Sequence, residues 1–140
     1  MAEYTNIAVQ EIAPNQNAVF NESPVSSSNC ILHREGSGII TLRGNTNQCR
    51  ARYKVVFGGN IAVPAGGASG AISVAIAVNG EALGSSAAIV TPAAVEEFFN
   101  VFSVAFIDVP RGCCLTVSVK NTSAQAIEMQ NANIVIDRVC

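Results

Sequence analysis

Tryptophan is absent, histidine occurs once, aspartate twice, and charged side chains of every kind make up only 13% of the 140 residues. An ordinary globular protein carries about 25%. The eight Lys and Arg and ten Asp and Glu are scattered along the chain and sum to −2. That balance provides no field to gather a polyanion, so nucleic acid is not an expected partner. Two aspartates are too few for an Asp-rich calcium loop. What is abundant is small and apolar: 20 alanines, 11 glycines and a mean hydropathy of +0.35. Such a chain has ample apolar surface to bury, which excludes disorder, and its length suits a single domain.

Long uninterrupted apolar runs are also lacking. The 23 residues from Gly58 to Gly80 carry no charge, but Pro64, glycines and two asparagines break them up, so they do not read as a membrane span. No membrane partner is expected. The start, Met1-Ala2-Glu3-Tyr4-Thr5-Asn6, has neither the basic residues nor the apolar run of a secretory signal, and synthesis in the cytosol is expected. Cys30, Cys49, Cys113, Cys114 and Cys140 form no C-x-x-C pair, and His33 is the lone imidazole, so no zinc set is evident. The cysteines read as free, partly buried thiols, with a Cys30–Cys49 bridge in an oxidising environment as the alternative. Cys113 and Cys114 are adjacent and cannot both face one core.

Catalytic patterns are missing too. His33 is near Glu35 and Ser37 in sequence, yet no G-x-S-x-G or Cys-His pattern frames a nucleophile and its base. Glu96 and Glu97 project to opposite sides of a strand and cannot share a substrate. Gly66-Gly67-Ala68-Ser69-Gly70 has neither the Lys nor the following helix of a phosphate cradle. No catalytic residue, cofactor or metal is assigned, and the chain is not expected to be an enzyme. The loops Asn45 to Gln48, Gly58 to Gly70 and Asn121 to Gln125 carry amide and small side chains that suit sugar contacts and equally suit turns. A surface glycan therefore stands as a candidate ligand.

The positive signal is a period of two. Ile72, Val74, Ile76 and Val78 alternate with smaller residues and end at Asn79-Gly80, a pair suited to a tight hairpin, with Glu81 to Thr91 as the returning strand. Ala51, Tyr53, Val55 and Phe57 alternate with Arg50, Arg52 and Lys54 until Gly58-Gly59, which is expected to end the pairing. Val95 to Val109 is apolar on both faces, with Phe98, Phe102, Val104 and Phe106 on one and Phe99, Val101, Ile107 and Val109 on the other. A strand of that kind is covered on two sides, so one side can face the core and the other another subunit, the alternative being that both are satisfied within one sandwich by the opposite sheet and a covering loop. Shorter runs at Asn6 to Ile12, Ala18 to Asn21, Ile31 to His33, Ile39 to Leu42, Leu115 to Lys120 and Ala132 to Val139 bring the total to about ten strands, with no helical periodicity. The expected fold is an all-β antiparallel jelly-roll sandwich over residues 6–140, with residues 1–5 as a free or docking N-terminal arm.

The order of motifs resembles a known family. Asn15-Gln16-Asn17-Ala18-Val19-Phe20, Ile31-Leu32-His33 followed by Ser37-Gly38-Ile39-Ile40-Thr41-Leu42, Ala51-Arg52-Tyr53-Lys54-Val55, Val78-Asn79-Gly80-Glu81, Val109-Pro110-Arg111-Gly112 and Asn133-Ile134-Val135-Ile136-Asp137-Arg138 look like the trimeric jelly rolls related to tumour necrosis factor and the complement globular head. Within that family they resemble the bacterial and phage branch that includes the C-terminal domain of collagen-like spore-surface glycoproteins. The resemblance implies a compact homotrimer, and without a Gly-X-Y repeat it implies a bare head on the outside of a phage particle, as capsid decoration or head-fibre component. It also implies attachment to a capsid or tail protein through residues 1–5. The alternatives are a receptor- or glycan-binding fibre head and a bacterial spore- or cell-surface trimer. The resemblance places the strands of Arg50 to Phe57, Val95 to Val109 and Asn131 to Val139 near the threefold axis, which makes Tyr53, Ile134, Ile136 and one face of the long strand, either Phe98, Phe102 and Phe106 or Phe99, Val101 and Ile107, the expected interface. Arg50, Arg52 and Lys54 could meet Glu96 and Glu97 across subunits, the alternative being a solvated strand face.

Overall fold

The computed structural model describes residues 1–26, 29–112 and 114–139. Its strands are β1 (Ala2–Asn6), β2 (Gln10–Ile12), β3 (Glu22–Val25), β4 (Ile31–His33), β5 (Ile40–Arg43), β6 (Arg50–Ala62), β7 (Ile72–Val78), β8 (Glu81–Ala82), β9 (Ala88–Val90), β10 (Phe99–Pro110), β11 (Cys114–Asn121) and β12 (Ile127–Arg138). They form two antiparallel sheets. The first runs β10-β6-β12-β1-β3 with β2 also on β12, and the second β4-β5-β11-β7-β8 with β9 also on β7. A single 3-10 turn, Gly84–Ser86, is the one helical segment among the described residues.

Alternation builds the core between the sheets. Tyr53, Val55 and Phe57 of β6 and Ile134 and Ile136 of β12 point inward from the first sheet, and Leu42, Ile72, Val74, Ile76, Val117 and Val119 meet them from the second. Each fully buried side chain of this size contributes about 1.5 to 3 kcal/mol, enough for a core built without tryptophan. The hairpin at Asn79-Gly80 forms as its sequence requires, with φ of +51° and +84°, the left-handed pair whose twist matches the flanking strands.

Three expectations are corrected. Residues 1–5 are not a free arm: β1 lies between β12 and β3, with Ala2 and Tyr4 buried, because the long β12 offers five pairing positions that an arm in solvent would leave open. Gly58-Gly59 does not end the strand that begins at Arg50, and β6 continues to Ala62. The two glycines face an irregularity in β12 between Gln130 and Asn133, where Asn131 has φ +55°. A Cβ on Gly58 would sit 3.0 Å from the Asn133 carboxamide, and one on Gly59 3.4 Å from the Ala132 backbone, so the absent side chains let the bulged strand close in. Lastly, β10 starts at Phe99, not Val95. Glu96 turns the chain with φ +59°, its N–H donating to the Val63 carbonyl at 2.7 Å, so Glu96 and Glu97 precede the strand.

Tyr53 ties the sheets together at one end. Its hydroxyl donates to the carbonyl of Arg43 at 2.6 Å and lies 3.3 Å from that of Cys30, both on the second sheet's side of the core. Burial pushes this phenol from its ordinary 10.0 up to about 12, the neighbouring Cys30 adding to the effect. A raised folded value means that stability is intact below pH 10 and lost as pH climbs through 12. Denaturant titrations across that window should therefore lose about 2 kcal/mol. Tyr53→Phe should shrink this loss to the part left by Tyr4, whose phenol burial also raises, while lowering stability at neutral pH by about 1 to 2 kcal/mol, as the Arg43 carbonyl loses its donor.

Candidate interaction face

The register of β6 with β10 sorts the long apolar strand into an inner and an outer face. Val101, Ile107 and Val109 turn into the sandwich, while Phe102, Val104 and Phe106 point outward and are 70%, 43% and 61% exposed. Phe102 stands opposite Gly58 and Val104 opposite Val56, which is itself opposite Val135 of β12. The result is an apolar strip across three strands, open to solvent on the outer side of the sheet. Phe98 precedes β10 and Phe99 opens it opposite the buried Ile61, on the inward phase, and each is 37% exposed at the end of the strand.

The expected interface set therefore divides. Phe98, Phe99, Phe102 and Phe106 are at the surface. Tyr53, Val101, Ile107, Ile134 and Ile136 are not: they are inside the sandwich, on the inward phase of their strands, and their interface assignment is corrected. A strand near an axis has only every second residue available to meet a neighbour.

The ion pairs differ as well. Asp108 is in register with Arg52 and accepts from its Nε at 2.7 Å and its Nη2 at 3.0 Å, with Arg50 Nε 3.5 Å away. The Arg52 hydrogen bond holds the Asp108 carboxyl below the usual carboxylate range. Arg50 and Arg52 thus find their acid within the chain, where the sequence suggested Glu96 and Glu97 of another copy, and Lys54 stands in register with Asp137. Exposed pairs of this sort fix register more than they stabilise.

His33 is a packing residue. Its ring lies 4.3 Å from that of Tyr4 and edge-on to Phe20, and Nε2 is 2.8 Å from the Ser37 carbonyl, which can only accept, so the proton is on Nε2. Cys30, Cys49 and Cys114 are free thiols, which removes the Cys30–Cys49 bridge from this structure, and Cys114 faces solvent. Cys113 and Cys140 lie outside the described residues. Among the described residues no three His, Cys, Asp or Glu side chains are placed to hold a metal ion.

The three loops read as sugar-binding candidates also separate. Gln125 gives both halves of its amide to the Ala68 backbone, at 3.1 and 2.7 Å. Asn121, fully buried, donates to the carbonyls of Ile12 and Gln125 and accepts from Ser123. The Gln125 amide thus ties these two loops together, and the Asn121 amide is spent on Ile12 and its own loop. The third, Asn45 to Gln48, is at the opposite end of the sandwich, beside Arg50 and Arg111. Its position there was not visible in the sequence, since it depends on which distant strand ends the fold brings together.

No family model matches this sequence, and no curated protein sequence matches it. Solved structures resemble it to differing degrees. The globular domain of a zebrafish complement 1qA protein superposes with a TM-score of 0.58 at 8% identity, covering 96% of this chain and 94% of that one. The C-terminal domain of EclA, a sugar-binding protein, gives 0.44 at 15% identity, covering 94% and 79%. A xylan-binding domain from Paenibacillus barcinonensis gives 0.36 at 12%, covering 99% and 87%. The chain is an all-β jelly roll, and the complement globular domain has the same fold.

Adjacent residues of β10 should respond oppositely to one substitution. In dilute protein, Val101→Ser should lower unfolding free energy by about 2 to 4 kcal/mol. Phe102→Ser should change it by less than about 0.5 kcal/mol. Urea unfolding followed by circular dichroism reads both, and equal losses would contradict the assigned inner and outer faces.

Proposed function

We propose that this chain is a non-catalytic jelly-roll module that assembles as a homotrimer through the outer face of β10 and serves as a display or structural component on the outside of a phage particle, as capsid decoration or head-fibre component. The observation that carries the reading is the strip of Phe102, Val104 and Phe106, continued by Val56 and Val135. Exposed aromatic side chains adjoining on one sheet face mark an interaction surface. The occupant proposed is two further copies of the chain. The sequence resemblance implies trimers with this strand near the axis, and the shared fold with the complement globular domain agrees with that resemblance. Low charge fits the same picture, because part of each subunit's surface would be withdrawn from water.

Residues 2–6 are built into the sheet, so attachment to a particle is proposed on the head's own surface and not through a free arm at residues 1–5. A receptor- or glycan-binding fibre head is the second reading, favoured by the exposed Asn47 amide in the loop Asn45 to Gln48, and a bacterial surface trimer the third.

Sedimentation at micromolar concentration should give three times 14.5 kDa. The double variant Phe102→Asp with Phe106→Asp should sediment as a folded monomer, since three copies cannot bury those carboxylates together. A wild-type chain that sediments as a monomer would remove the trimer reading. For the location, quantitative mass spectrometry of purified virions separates the roles: copy numbers proportionate to the capsid indicate decoration, a few trimers indicate a fibre head, and absence argues against both.

A further inference from the structure

The arginines scattered along the sequence gather in the fold. Arg43 ends β5, Arg50 opens β6, and Arg111 follows β10 where that strand's last residue meets Arg50 in register. Backbone bonds hold these termini together: the Arg111 N–H donates to the Cys49 carbonyl at 2.9 Å, Gly112 to Gly44 at 3.3 Å, and Arg43 to Cys30 at 2.8 Å. Asp108 is the acid near them, and it is engaged by Arg52 and Arg50. Among the described residues Arg43 and Arg111 have no carboxylate partner. The far end is the reverse, with Glu11 directly opposite Glu128 and Glu96 on the same cavity. The two ends of the sandwich thus differ in the sign of the charge they carry.

At the basic end three depressions run into one another. A cavity of 560 Å³ is walled by Asn47 and Arg50; Asn47 also borders a second of 430 Å³ with Thr46 and Arg111; Asn45 links that to a third of 360 Å³ at Arg43. Guanidinium groups present paired N–H donors that match a carboxylate or sulfate. The Asn47 amide, exposed and unbonded among the described residues, offers a donor and an acceptor suited to vicinal hydroxyls. The walls include no aromatic ring on which a base could stack, and three arginines fall short of the cationic track that a nucleic-acid backbone needs.

We propose that this groove binds an acidic saccharide, a hydroxylated chain bearing carboxylate or sulfate groups. All its walls come from one chain, so the inference goes beyond the trimer proposal and does not depend on it.

The test uses the full chain in calorimetric titrations with a heparin octasaccharide (sulfated), an oligogalacturonate (carboxylated), dextran and a DNA dodecamer. Saturable binding is expected for at least one acidic saccharide and not for dextran or DNA, and the bound saccharide should slow alkylation of Cys49, which lines the 560 Å³ cavity. Arg111→Ala should weaken binding about tenfold and Asn47→Ala about threefold. Both side chains are exposed, so thermal unfolding should be unchanged. Arg34→Ala, outside the groove, should bind as wild type. The proposal is overturned if neither acidic saccharide binds, if dextran or DNA binds as well, or if Arg34→Ala loses as much as Arg111→Ala.

Discussion

Twelve consecutive antiparallel pairs join β6 to β10, from Phe99 opposite Ile61 to Pro110 opposite Arg50, and the character of the surface depends on that register. It turns Val101 and Ile107 inward, leaves Phe102 and Phe106 outside, and sets Asp108 against Arg52. A slip of one residue would send the phenylalanines into the core and the valines out. The core itself resists that slip, because Tyr53, Val55 and Phe57 on β6 are already fixed by their contacts with the second sheet. Inner packing therefore dictates the outer face, and the outer face carries the proposed assembly.

The same strand pair separates charge. Arg50, Arg52 and Lys54 occupy the first turns of the pleat on β6, and no ionisable side chain follows them to Ala62, where Glu128 of β12 takes up the opposite position. Because β10 runs back along β6, its end delivers Arg111 to the side of Arg50, while its approach leaves Glu96 beside Val63. A chain with little charge thus concentrates what it has. The middle of the sheet is left apolar on both faces, where self-association is proposed, and the arginine end is left polar, where a ligand is proposed.

Much of the fold was legible in the residues. Alternation gave away β6, β7 and β11, and Asn79-Gly80 announced its hairpin, because these segments have enough apolar contrast to set a period of two by themselves. Ala2, Tyr4 and Asn6 have little such contrast, and β1 becomes a strand because β12 supplies its partner. Gly58-Gly59 read as a stop for a sound local reason, the poor strand propensity of glycine, which the bulge around Asn131 overrides. Tyr53, Ile134 and Ile136 were placed at an interface because proximity to an axis says nothing about which face of a strand looks toward it. The basic groove was invisible for a different reason: Arg43, Arg50 and Arg111 are far apart in sequence and meet only through non-local pairing.

The central claim is that the outer face of β10 is a contact between copies of this chain. Hydroxyl-radical footprinting over a dilution series measures it at the side chains concerned. Phe102 and Phe106 should resist oxidation at micromolar concentration and become reactive on dilution, while exposed Ile89 on β9 stays reactive throughout. Equal and concentration-independent oxidation of Phe102, Phe106 and Ile89 would contradict it.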